Sequence, residues 1–172
     1  MMAAHPQYIL QPVKVSFMIA SLVAAFAFNL LPWQDVRGVP DLLAVVLTFW
    51  CVHQPRKMGI GIAWVLGLLM DASNGVLIGQ HALAYTALAY AAQGLHRRIL
   101  RFTLLQQALH VLVLLMASQL AMLAARMIAG GTFPGWSFFL GSVIGAALWP
   151  LATFVLLAPQ RQAVEVDETR PI

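Results

Sequence analysis

Charge is what this sequence has least of. Asp, Glu, Lys and Arg make up only 9% of its 172 residues, against about 25% in a soluble domain. A chain so poor in polar surface does not stay dispersed in water, so it reads as one integral membrane domain. Its ten basic residues outnumber six acidic ones. They stand as punctuation between apolar runs, however, and form no basic stripe with interleaved aromatics, which excludes nucleic acid as a partner. Cysteine is nearly absent too. A lone Cys51 leaves no internal disulfide and no multi-cysteine metal site, and its apolar neighbours suit a small buried hydrophobe.

Catalytic signatures are also missing. Ser73, Ser118, Ser137 and Ser142 have no neighbouring base in sequence, and neither a G-x-S-x-G elbow nor a Walker loop occurs. Gly59-Ile60-Gly61 suits tight helix packing better than a phosphate. No internal repeat is visible, so the inverted duplication of many transporters has no counterpart here. The chain reads as a non-enzyme with no cofactor.

Apolar side chains are abundant, at 61% of residues with a mean hydropathy of +0.82. They fall into six candidate transmembrane helices, so the fold class is an all-α polytopic membrane protein. The runs are 15–31, ended by Pro32; 41–52, behind Pro40 at a favoured helix start; 58–70; one within 76–95; 102–125; and 137–158, which carries Pro150. The second and third have only 12 and 13 residues, where a spanning helix needs about 20. Short, glycine-interrupted segments ending in a carboxylate point to broken helices around an internal site, or to a helix pair fitted to a neighbour.

Basic residues set the orientation. With both termini cytoplasmic, Lys14, Arg56, Lys57, Arg97, Arg98, Arg101, Arg161 and Arg170 lie inside, and only Arg37 and Arg126 lie outside. The positive-inside rule selects this arrangement. Fusing the second and third runs would strand Arg56 and Lys57 in the bilayer, at about 2.5–3.5 kcal/mol each near its centre. Trp33 and Trp136 flank outer helix ends, where indoles favour the interface, and Trp50 stands near the inner end of the second run. Ala25-Phe26-Ala27 fits a signal-cleavage pattern. The apolar run continues past it to Leu31, so the segment reads as a retained helix. One transmembrane domain over 1–158 is expected, then a polar cytoplasmic tail over 159–172, too short to fold alone.

Asp71 is the strongest candidate for a site, because a carboxylate in a membrane segment is costly and functional by default. The structural alternatives are a place in headgroup water just outside the core, or a cap on a helix starting in Asp71-Ala72-Ser73-Asn74 that holds the turn by backbone N–H groups. In that role an amide would serve nearly as well. Asn74, Gly75, Gly79, Gln80 and His81 complete a candidate structural or ligand-binding cluster on the outer side. Only Asp71 and His81 are good metal ligands there, too few for zinc. Gln106 and His110, four apart on one helix face, suit hydrogen bonds to neighbouring helices. Gly141 and Gly145 form a G-x-x-x-G pattern, and Ala117 and Ala121 a similar small-residue face. Both patterns permit close helix contact, within the chain or with a second copy of it.

The residues Pro40-Asp41-Leu42-Leu43, Phe49-Trp50, Gly61, Gly67-Leu68-Leu69-Met70-Asp71, Gly75 and Leu77-Ile78-Gly79-Gln80-His81-Ala82-Leu83 stand in one order. That order resembles the bacterial rod-shape-determining MreD family in its proteobacterial form, although Leu77-Ile78-Gly79 replaces a frequent Pro-Leu-Gly and Val39 a frequent Arg. The resemblance implies a non-enzymatic inner-membrane scaffold of the cell-elongation and peptidoglycan-synthesis machinery. It implies the bitopic protein MreC as partner, with MreB, RodA and its penicillin-binding transpeptidase reached directly or indirectly. It also implies a fold similar to the substrate-binding subunit of energy-coupling-factor transporters. The alternative is therefore a ligand-binding or transport subunit with a pocket around Asp71 and His81.

Overall fold

The computed structural model describes residues 8–10, 13–33 and 38–163. Arg37, Glu165, Asp167, Glu168 and Arg170 thus lie outside the described residues. Within these, the chain forms α1 Val15–Asn29, α2 Leu42–His53, α3 Ile60–Asn74, α4 Gln80–Ile99, α5 Leu104–Ile128, α6 Leu140–Ala147 and α7 Trp149–Leu157. Single 3-10 turns occupy Trp136–Phe139 and Ala158–Gln160. Two three-residue strands, β1 Tyr8–Leu10 and β2 Arg161–Ala163, pair antiparallel. The expected free tail is therefore tied back as far as residue 163, beside the start of the chain.

Helix α2 is the hub, and its burial explains its shortness. Nine of its twelve residues are buried, including Leu43, Leu47, Phe49, Trp50, Cys51 and Val52. At 1.5 Å per residue it is about 18 Å long, far below the roughly 30 Å of a bilayer core. A helix wrapped on all sides by protein need not match the lipid, because its neighbours do so. Trp50 consequently has no interfacial role. It is 0% exposed and donates its indole N–H to Ser21 Oγ at 2.9 Å, joining α2 to α1.

The outer helices carry the opposite pattern. Leu105, Leu109, Val113 and Leu120 of α5 are exposed, while Val111, Leu114, Leu115, Ser118 and Met122 face inward. Val15, Ile19 and Val23 give α1 a similar exposed stripe. Such continuous apolar surface suits lipid or protein and not water. Among the described helices, α5 alone is long and apolar enough to cross a membrane by itself; Trp136–Ala147 and Trp149–Gln160 pass only as a pair, bent by 43°.

Pro150 causes that bend. Proline lacks an N–H and crowds the carbonyl four residues earlier, so the predicted single helix divides at Leu148 and Pro150 sits in the first turn of α7. Pro40 also differs from expectation. It lies one residue before the cap, and Asp41 is the N-cap of α2. At the opposite end of the bundle, Lys57 donates from Nζ to the Val13 carbonyl at 2.8 Å. The start of α1 and the α2–α3 loop are therefore neighbours.

Candidate functional site

The turn between α3 and α4 is built from three glycines and one carboxylate. Gly75 ends α3 at φ 60°, and Gly79 precedes α4 at φ 103°, both in the left-handed region that glycine occupies without strain. Gly67 lets the two helices touch. A Cβ there would stand 2.4 Å from the Ala82 Cα and 2.5 Å from the Ala82 nitrogen. One turn further along the same face is Asp71, 0% exposed.

Asp71 caps α4 from across the turn. Its Oδ2 accepts from the Gly79 and Ala82 backbone N–H groups at 2.8 and 3.3 Å. Its Oδ1 accepts from the His81 backbone N–H and from His81 Nδ1, both at 2.8 Å. Because a carboxylate only accepts, the imidazole proton is assigned to Nδ1. Asp71 lies inside α3, which continues to Asn74, so the helix start expected at 71–74 does not exist; the carboxylate serves the next helix instead. A negative charge at a helix N-terminus is favoured by the dipole and by the free N–H groups there. Gln80 is buried and begins α4, donating its backbone N–H to the Leu77 carbonyl at 3.1 Å. Asn74 is exposed at the end of α3.

A second carboxylate, Asp41, forms a parallel junction that the sequence reading passed over. Its Oδ1 accepts from the Ala44 backbone N–H at 3.0 Å and from Asn29 Nδ2 at 2.7 Å. Its Oδ2 accepts from the Tyr85 hydroxyl at 2.7 Å. Asn29 Oδ1 in turn accepts from the Leu42 N–H at 3.2 Å. One side chain thus gathers the end of α1, the start of α2 and the second turn of α4. The His81 ring meets the Tyr85 ring edge to face at 5.8 Å, so the two junctions adjoin. The available signal was an Asp directly before an apolar helix, the mark of an N-cap.

Beside them opens a cavity of about 370 Å³, lined among others by Asn29, Asp41, Met70, His81, Ser118, Gln119, Phe138 and Ser142. Gln119 closes one wall, donating from Nε2 to the Phe138 carbonyl at 3.0 Å and accepting from Ser142 Oγ at 2.6 Å. Gly141, the first glycine of the pattern, lines the same cavity. A Cβ on Gly141 would come 2.8 Å from the Val39 carbonyl oxygen, and one on Gly145 would come 3.1 Å from Val45 Cγ2 and 3.2 Å from Leu115 Cδ1. These glycines therefore seat α6 on α2 and α5 within the chain. Ala121 is half-buried against the core, whereas Ala117 is exposed and outside that contact.

Gln106 and His110 do not reach other helices. Gln106 Oε1 accepts from its own helix's Thr103 N–H at 3.2 Å, in a capping box. His110 Nδ1 lies 2.8 Å from the Gln106 carbonyl, and its ring stacks on Phe102 at 4.8 Å. The interhelical bond belongs to the adjacent Gln107, whose Oε1 accepts from the Trp149 indole at 3.2 Å. Among the described residues, no three His, Cys, Asp or Glu side chains gather as a metal site would require.

The sequence pattern of the rod shape-determining protein MreD matches residues 11–158 of the chain. The chain belongs to the MreD family. A rod shape-determining protein MreD of Haemophilus influenzae is 28% identical over 152 residues, covering 86% of this chain and 92% of that protein. No solved structure matches. MreD membership makes this a membrane protein of the cell envelope with a role in rod-shape determination. Both junctions fall inside the matched region.

Proposed function

We propose that the chain is a non-enzymatic scaffold of the rod-shape machinery in the bacterial inner membrane. It would cross the bilayer six times with both termini cytoplasmic, and would hold MreC and, directly or through it, other wall-synthesis proteins against its outer helix faces. The observation that carries this reading is how the bundle uses its polar groups. Asp71 gives its carboxylate oxygens to four donors that fasten α4 to α3. The apolar side chains of α1 and α5 point outward instead. A molecule that commits its buried carboxylate to its own joint and presents smooth apolar helices suits contact with neighbours.

Six crossings are supported by charge. Eight of the ten basic residues then lie on the cytoplasmic side, with Lys14, Lys57, Arg98 and Arg101 at one end of the bundle and Arg126 at the other. The likeness to energy-coupling-factor substrate-binding subunits stays part of this proposal, supported by the short buried α2 and a cavity among helix ends.

Isolation from native membranes tests the reading. The scaffold account expects MreC to co-isolate with the chain and to raise its thermal stability. A preparation stable alone, with no MreC retained under mild detergent, would count against it.

A further inference from the structure

A groove of about 370 Å³ runs between the α3–α4 turn and the end of α5, lined by Val76, Leu77, Gln80, Arg126, Ala129 and Gly131. Gln80 is its informative side chain. The residue is 8% exposed, and among the described residues its side-chain amide makes no hydrogen bond. The unpaired side-chain atoms sealed away from solvent are Ser118 Oγ and Thr153 Oγ1. The Gln80 amide is not one of them, so it stays open, and the space it opens to is the groove it lines. An unbonded amide on so buried a residue is uncommon. Its two N–H donors are available to an occupant.

Arg126 supplies a charge of matching kind. It stands in the last turn of α5, where a cation offsets the helix dipole, and the chain then folds back along it. The Gly131 N–H donates to the Arg126 carbonyl at 2.9 Å. A Cβ on Gly131 would stand 2.7 Å from Arg126 Cγ and 3.4 Å from its Nε, so this glycine lets the backbone lie against the arginine stem. No carboxylate among the described residues pairs with the guanidinium. Asp71 does not line the groove and has both oxygens engaged.

The surroundings set the class of ligand. Ile78 and Ile128, next in sequence to lining residues, are 77% and 88% exposed, and Leu77 and Met127 are exposed too. Apolar surface of this extent suits acyl chains and not water. Helix α5 has 25 residues and is about 37 Å long at 1.5 Å per residue. A bilayer core is roughly 30 Å thick, so the end of α5 reaches headgroup depth, where lipid phosphates lie.

We infer that this groove binds the phosphate of a lipid headgroup, with Arg126 and the Gln80 amide donating to its oxygens and the acyl chains lying against the exposed apolar rim. A guanidinium presents a planar fork of donors that matches phosphate oxygens. The site does not depend on the scaffold reading: MreC binding and lipid binding can fail separately.

The test compares dioleoyl phosphatidic acid with dioleoylglycerol, which has the same acyl chains and no phosphate, on the full chain in detergent by native mass spectrometry. Phosphatidic acid should be retained at least about tenfold more than the diacylglycerol. Arg126→Gln should lower that retention about tenfold and Gln80→Leu about threefold, while Arg98→Gln, at the opposite end of α4, should leave it unchanged. The comparison of the two lipids on the wild-type chain stands even if a variant does not fold. Equal retention of both lipids, or a loss with Arg98→Gln and none with Arg126→Gln, would overturn the inference. Displacement of the lipid by about 10 mM inorganic phosphate would overturn the lipid assignment in favour of the free anion. Retention seen only after Asp35→Asn would overturn it too, by giving Arg126 to the chain's own carboxylate.

Discussion

Asp71 Oδ1 receives two hydrogens from His81, one from the backbone and one from the ring, each at 2.8 Å. With Oδ2 taking the Gly79 and Ala82 N–H groups, both carboxylate oxygens are needed. An amide is therefore no substitute, contrary to what a simple turn cap would allow. Asp71→Asn must aim its NH2 at two N–H donors, and should lose on the order of 2 kcal/mol of stability or more. Asp71→Leu, which satisfies none of the four, should lose more. Thermal unfolding in detergent checks the order; an Asn variant as stable as wild type would refute it.

Gly67 should tolerate no side chain. A Cβ 2.4 Å from the Ala82 Cα forces α4 away from α3 and pulls Asp71 off its donors, which predicts a loss above about 2 kcal/mol for Gly67→Ala. Gly94, within α4 and with nothing inside 4 Å of its added Cβ, is the control. Gly94→Ala should be neutral or stabilising by up to about 1 kcal/mol. Equal melting temperatures for the two variants would contradict the close approach.

The two glycines of α6 should differ from each other. At Gly141 the obstacle is the Val39 carbonyl, part of the backbone; at Gly145 it is the ends of Val45 and Leu115. Gly141→Ala should therefore lower the folded level clearly, and Gly145→Ala only slightly, while Gly145→Leu should be as damaging as Gly141→Ala. Fluorescence-detected gel filtration of the variants gives the ranking, and a reversed order would show that α6 is seated otherwise.

Tyr85→Phe removes one donor from Asp41 Oδ2 and leaves the ring in place. The expected loss is about 1.5 kcal/mol, and it should vanish in an Asp41→Ala background, where no side-chain partner for the hydroxyl remains. Additive losses in the double variant would mean that the two side chains act independently.

Helix positions were legible because apolar runs broken by basic residues and prolines have a plain physical meaning. The run at 15–31 became Val15–Asn29, and that at 102–125 became Leu104–Ile128. Asp71 stood out as a buried charge, but its partners did not, since a cap reaching eight to eleven residues ahead leaves no local spacing to read. The interhelical bond falls to Gln107 and not Gln106, because one residue turns a helix face by about 100°. The role of Asp41 was half visible, its helix-start position readable and its bonds to Asn29 and Tyr85 set only by tertiary packing.

Under the proposed scaffold role, rod shape depends on the folded chain and not on a reactive or ligand-gated carboxylate. Rod-shape rescue in cells lacking their own MreD, plotted against membrane level of the chain for Gly67→Ala, Asp71→Asn, Tyr85→Phe and Gly141→Ala, tests it most directly. The account predicts that all four fall on the curve obtained by titrating wild-type expression. A variant present at wild-type level that fails to restore rods, Asp71→Asn above all, would contradict it and assign the chemistry to the side chain itself.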